Sequence, residues 1–90
     1  MVKEKLNPVR ENQEMSSSLR DLILFNDDVN TFEFVIETLI EVCGHDAVQA
    51  EQCALIAHFN GKCSVLSGSY QDLKPKCDEM TLRELTVSIS

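Results

Sequence analysis

Hydrophobic and polar positions divide this chain into a polar opening and a run of short amphipathic elements. Residues 1–18 are polar, carry Pro8 and the Ser16-Ser17-Ser18 run, and show no sustained periodicity, so a mobile tail is expected there. Residues 19–25 are dense in apolar side chains and read as a strand buried on both faces at its end. A helix is predicted from Asn30, which pairs with Glu33 as a capping box, with Phe32, Val35, Ile36, Leu39, Ile40 and Cys43 forming one stripe and Gly44 ending it. Asp46 with Gln49 repeats the capping device for a second helix that runs to Asn60, where Gly61 supplies the C-terminal cap. Two helices so closely joined must fold as a hairpin.

Residues 62–66 read as a short strand and Ser67-Gly68-Ser69 as a turn. Tyr70, Leu73, Cys77 and Met80 keep a helical period, but Pro75 would remove a backbone bond, so this helix either begins near Lys74 or is irregular. Leu85, Val87 and Ile89 alternate with Thr86 and Ser88, the pattern of a half-buried strand. The order βααβαβ predicts an α/β sandwich of the α+β kind, with helices packed on a small sheet and residues 19–90 forming one core domain.

Composition narrows the partners. With 43 % hydrophobic and 26 % charged residues the chain is an ordinary globular sequence rather than a disordered one. Residues 21–90 hold twelve acids against four bases, net −8, whereas residues 1–20 are net +1. An acidic surface of this kind repels phosphate backbones and anionic lipid, so nucleic acid and membrane are poor partners and cationic groups good ones. No apolar run is long enough to span a bilayer. The charged start Met1-Val2-Lys3-Glu4-Lys5 has no apolar stretch behind it, so no secretory signal is expected and the cytosol is the expected compartment. Cys43, Cys53, Cys63 and Cys77 give no CxxC spacing, and three of them fall on apolar faces, which reads as reduced core thiols. Cys43-Gly44-His45 and the pair Cys53 and His58 mix metal-ligand residue types but share no helical face, so no metal site and no cofactor are expected.

The stretch Leu22-Ile23-Leu24-Phe25-Asn26-Asp27-Asp28 runs a strand straight into side-chain acceptors, an arrangement suited to a cation. His58, near the end of the second helix, accepts a hydrogen bond when neutral. Taken with Phe32-Glu33-Phe34-Val35-Ile36, Glu51-Gln52 and His58-Phe59-Asn60-Gly61-Lys62, the chain resembles the ClpS adaptors, which recognise the N-terminal residue of other proteins under the N-end rule and hand them to a Clp-family AAA+ unfoldase. The resemblance covers about residues 19–89. It implies three antiparallel strands, a monomer, and no catalytic activity.

Matched residue by residue, the resemblance places Asn26, Asp28 and His58 on the ligand ammonium, with Asp27 and Asn30 holding the peptide backbone or closing the rim. It places Phe25, Phe32, Val35, Ala54, Ala57 and Leu85 around the side-chain pocket. Turn formation and capping are the plain alternative for Asp27, Asp28 and Asn30. The chain departs from the family in a pattern: Phe25 and Phe32 stand where aliphatic or Met side chains are common, and Ala54 and Ala57 where Met and Val are common. Asn30 stands where the family usually has Thr. Two other functions compete. A hydrolase would need a nucleophile signature that is missing, and an acidic interaction module without N-terminal recognition would bind basic partners in a strongly salt-dependent way.

Overall fold

The computed structural model describes residues 19–90. The expected tail falls outside the described residues, and the described elements follow the expected order: β1 (Arg20–Phe25), α1 (Phe32–Cys43), α2 (Ala47–Asn60), β2 (Lys62–Gly68), α3 (Tyr70–Leu82) and β3 (Thr86–Ile89). The strands form one antiparallel sheet in the order β2-β1-β3. Register places Leu22 beside Leu66 and Ile89, and Leu24 beside Cys63 and Val87, so these side chains share one face. That face carries the core, in which Leu22 and Leu24 meet Leu39 of α1, Ala50 and Ala57 of α2, and Leu73 and Met80 of α3. Ile23 and Phe25, expected to be buried as well, are only half-buried, because alternation turns them away from this helical layer.

Local chemistry sets the helix ends. Asp46 caps α2 as expected, its Oδ1 accepting from Gln49 N–H at 2.7 Å. The cap of α1 is Thr31 rather than Asn30: Thr31 Oγ1 accepts from Phe34 N–H at 3.1 Å, and Asn30 is free for another task. Gly44 and Gly61 close α1 and α2 in the left-handed region, φ 73° and 95°, where a Cβ would be strained. The buried face of α1 is turned slightly from the predicted stripe, so that Thr38 is fully buried while Ile40 is exposed. Thr38 Oγ1 has no partner there.

Two elements are longer than predicted. Ser67 and Gly68 stay in β2, paired with Asp21 and Arg20, and the turn shrinks to Ser69. The Ser69 hydroxyl accepts from Asp72 N–H at 3.1 Å and starts α3 at Tyr70, not near Lys74. Pro75 lies inside α3 and removes one backbone donor, while Leu73 and Met80, buried on either side of it, hold the helix to the core.

A bulge in β2 does structural work. Leu22 pairs with Leu66 and Ile23 with Ser64, which leaves Val65 without a cross-strand partner. Its carbonyl accepts instead from His45 Nε2 at 2.7 Å, tying the α1–α2 connection to the sheet. His45 is therefore a buried brace with its proton on Nε2. No cluster of three potential metal ligands exists among the described residues. No described helix is long and apolar enough to cross a membrane.

Candidate functional site

At one end of the sheet β1 stops, and its continuation, the N-terminal part of α1 and the second half of α2 surround a cleft of about 400 Å³. Leu24, Phe25, Phe32, Val35, Ala54 and Leu55 form its apolar part, and Asn26, Asp27, Asn30 and His58 its polar part. Asn26 N–H donates to the Gly61 carbonyl at 3.0 Å, which fastens the end of β1 to the C-terminal cap of α2. This bond brings Asn26 and His58, thirty-two residues apart in sequence, to one wall. His58 is exposed and stacks edge-on against Phe59, ring centres 4.9 Å apart.

Asp27 and Asn30 make the rim. Asp27 Oδ1 accepts from Val29 N–H at 2.9 Å and from Asn30 N–H at 3.0 Å, and its carboxylate also receives Asn30 Nδ2 and Thr86 Oγ1. Burial by itself would raise this carboxyl, but the bonds from Asn30, Val29 and Thr86 together hold it below its ordinary 3.8. Asn30 Nδ2 reaches across to the Glu84 carbonyl at 2.8 Å. Glu84 presents that carbonyl from a left-handed conformation, φ 69°, which costs a non-glycine residue about 1 kcal/mol. The rim thus links the β1–α1 connection to the turn that leads into β3.

Eight of the eleven residues assigned to the site from sequence line this cleft: Phe25, Asn26, Asp27, Asn30, Phe32, Val35, Ala54 and His58. Three do not. Ala57 and Leu85 belong to the core cluster, which does not include the equally buried Ala54, and Leu85 precedes β3 instead of forming part of it. Asp28 is exposed in the bend beside the wall, and neither of its oxygens has a hydrogen-bond or ion-pair partner among the described residues. Conversely, Leu24 and Leu55 line the cleft without having been singled out. Leu24 was legible only as core. Leu55 directly follows Ala54, and a reading of α2 by helical stripe hides it, since α2 has apolar residues on its exposed side too: Val48, Ile56 and Phe59.

Comparison with known proteins bears on the family and the fold. The family model described as ATP-dependent Clp protease adaptor protein ClpS matches residues 16–87. A ClpS adapter protein of Pectobacterium carotovorum subsp. carotovorum (strain PC1) is 35 % identical over 74 residues, covering 80 % of this chain and 62 % of the relative. That of Edwardsiella ictaluri (strain 93-146) is 36 % identical over 75 residues, covering 77 % of this chain and 71 % of the relative. The chain therefore spans about two thirds of the length of these relatives. The solved structure of Agrobacterium tumefaciens ClpS2 bound to L-phenylalaninamide superposes with a TM-score of 0.73 at 20 % identity, covering 81 % of this chain and 95 % of that one, which shows a shared fold. On the family match across residues 16–87 and the shared three-stranded fold, this chain belongs to the ClpS family of ATP-dependent Clp protease adaptor proteins.

Proposed function

We propose that this protein is an adaptor that captures other proteins by their N-terminal residue, a free α-ammonium with one large apolar side chain, and delivers them to a Clp-family AAA+ unfoldase of the ClpA or ClpC kind. The observation that carries this reading is the two-part cleft, an apolar chamber under a mouth of acceptors. Its volume of about 400 Å³ suits one large side chain with the adjoining backbone. The family relationship supports the reading, as does the likeness to an Agrobacterium protein solved with L-phenylalaninamide, a molecule with the same free amine and aromatic side chain.

Within this reading the labour at the mouth is divided. An ammonium brings three donors and is held best by three acceptors, one of them negative. In this reading the Asn26 carbonyl and the His58 ring serve as acceptors, and Asp28, outside the cleft lining but exposed and without a partner among the described residues, supplies the charge. Asp27 is unsuited to that task because its oxygens already receive bonds from Val29, Asn30 and Thr86. With Asn30 it acts as the brace of the rim. The C-terminal turn of α2, which carries His58, adds the partial negative charge of a helix end.

Titration of a fluorescent Phe-initiated peptide with a free or an acetylated N-terminus tests this. Losing two charge-assisted bonds at about 1.5 kcal/mol each weakens binding about 100-fold, so the acetylated peptide should scarcely bind. Equal affinities, falling together as salt rises, would mean instead that the acidic surface merely docks basic segments.

A further inference from the structure

The two edges of the sheet are built differently. Along β2, Lys62 stands at the start and the bulge at Val65 breaks the run, its carbonyl held by His45. Such features block the addition of a further strand. β3 has none of them: Thr86-Val87-Ser88-Ile89 is uncharged, lacks proline and pairs with β1 without a register shift. Asp21 and Ser90 exchange both backbone bonds, at 3.1 and 2.8 Å, so antiparallel alternation makes Ile23 with Ser88 and Phe25 with Thr86 the next bonded pairs. The N–H and carbonyl groups of Val87 and Ile89 therefore point away from β1, and no backbone bond from elsewhere among the described residues reaches them. Both side chains lie on the core face and are only half-buried there. Charge favours the same side of the domain. Residues 70–90 hold three bases against four acids, whereas residues 21–69 hold Lys62 against eight acids.

We propose that β3 pairs antiparallel with β3 of a second copy about a two-fold axis at Ser88, joining two three-stranded sheets into one. The free groups fix the register. Val87 of each copy lies opposite Ile89 of the other, and this pairing satisfies all four outward groups on both strands. It sets apolar against apolar on the core face and Ser88 against Ser88 on the open face, with no charge on either strand. A second copy is the partner these features select: it brings the same spacing of free groups, and two acidic domains repel least where their sides are nearly neutral. Four residues of strand make a small contact, so the dimer is weak and forms as concentration rises. No residue of β3 lines the cleft, so pairing leaves both clefts in place and gives two of them per assembly. The pairing replaces the monomer that the family resemblance implies.

Sedimentation equilibrium of the full chain, from micromolar to millimolar concentration, tests the pairing. The mass should climb toward that of two chains. Ser88 is exposed, so the fold tolerates a charge there, and Ser88→Lys sets two like charges face to face on the axis. That variant should stay a monomer, as should Ser88→Glu, whereas an equimolar mixture of the two should recover the dimer because opposite charges then meet. Phe59→Ser, which removes the exposed aromatic ring from the apolar outer side of α2, should leave association unchanged. A wild-type chain that remains monomeric throughout, a Ser88→Lys chain that still associates, or a mixture that does not would each overturn the proposal. So would loss of association in Phe59→Ser, which would move the contact to α2. Dimerisation that appears only after residues 1–17 are removed would also overturn it, since that segment would then be the occupant of the edge.

Discussion

Ala54 and Ala57 occupy the same helix three residues apart, yet only Ala54 opens onto the cleft while Ala57 belongs to the core. Ala54→Met therefore extends about three methylene-sized groups into the chamber, and at about 0.8 kcal/mol per group a ligand side chain that needed that depth loses about 2.4 kcal/mol. That is about 50-fold weaker binding for a Phe- or Trp-initiated peptide. Leu reaches less deeply and forfeits about one such group, about fourfold. The Phe-to-Leu preference should thus shift about tenfold toward Leu, as measured by competition against a fluorescent Leu-initiated peptide. Ala57→Met should do something different, because overpacking a closed core costs about 1–3 kcal/mol of stability without reaching the ligand. An unchanged Phe-to-Leu ratio for Ala54→Met, or a shifted one for an Ala57→Met protein that remains folded, would refute the division of α2 into a cleft wall and a core face.

Other expectations follow from single groups. Asp27, held below its ordinary 3.8, contributes stability that is full above that value and lost as pH falls through its lower folded value. Asp27→Asn should accordingly cost about 1 kcal/mol at neutral pH, with the gap in urea midpoints closing as the pH falls below the ordinary 3.8; a gap that persists or widens in acid would contradict this. Thr38→Val replaces a fully buried, unpartnered hydroxyl by a methyl group of the same shape and should raise stability by about 1 kcal/mol, seen as a Tm several degrees higher. Removing residues 1–17 should leave peptide affinity intact, since the cleft is built from residues between Leu24 and His58, and should slow degradation of a substrate in the presence of the Clp ATPase; equal degradation rates would show that this segment takes no part in delivery.

Element order was legible in the sequence because it depends on local chemistry. Asp46 with Gln49, and glycines at 44 and 61, mark helix ends through hydrogen bonds made within four residues and through a backbone conformation that only glycine adopts freely. The polar half of the site was legible for a related reason, since Asn26, Asp27 and Asn30 lie within one short segment and His58 ends a helix that a strand follows at once. Where capping candidates stood side by side, sequence was not enough. Asn30 and Thr31 can each cap a helix, and the choice fell to Thr31 because the Asn30 side chain is drawn to the Glu84 carbonyl, fifty-four residues away.

The remainder depended on how the layers meet. A helical period says that Ala54 and Ala57 share one side of α2, but not where the sheet ends beneath them; the end of β1 decides that one borders a chamber and the other the core. Pro75 argues locally against a helix from Tyr70, and burial of Leu73 and Met80 outweighs one lost backbone bond. The bulge at Val65 and the His45 brace exist only together, since an unpaired carbonyl on a strand needs a donor from elsewhere in the fold. Short-range hydrogen bonding and hydropathy period thus determined the elements, and long-range packing determined which face of each element the cleft received.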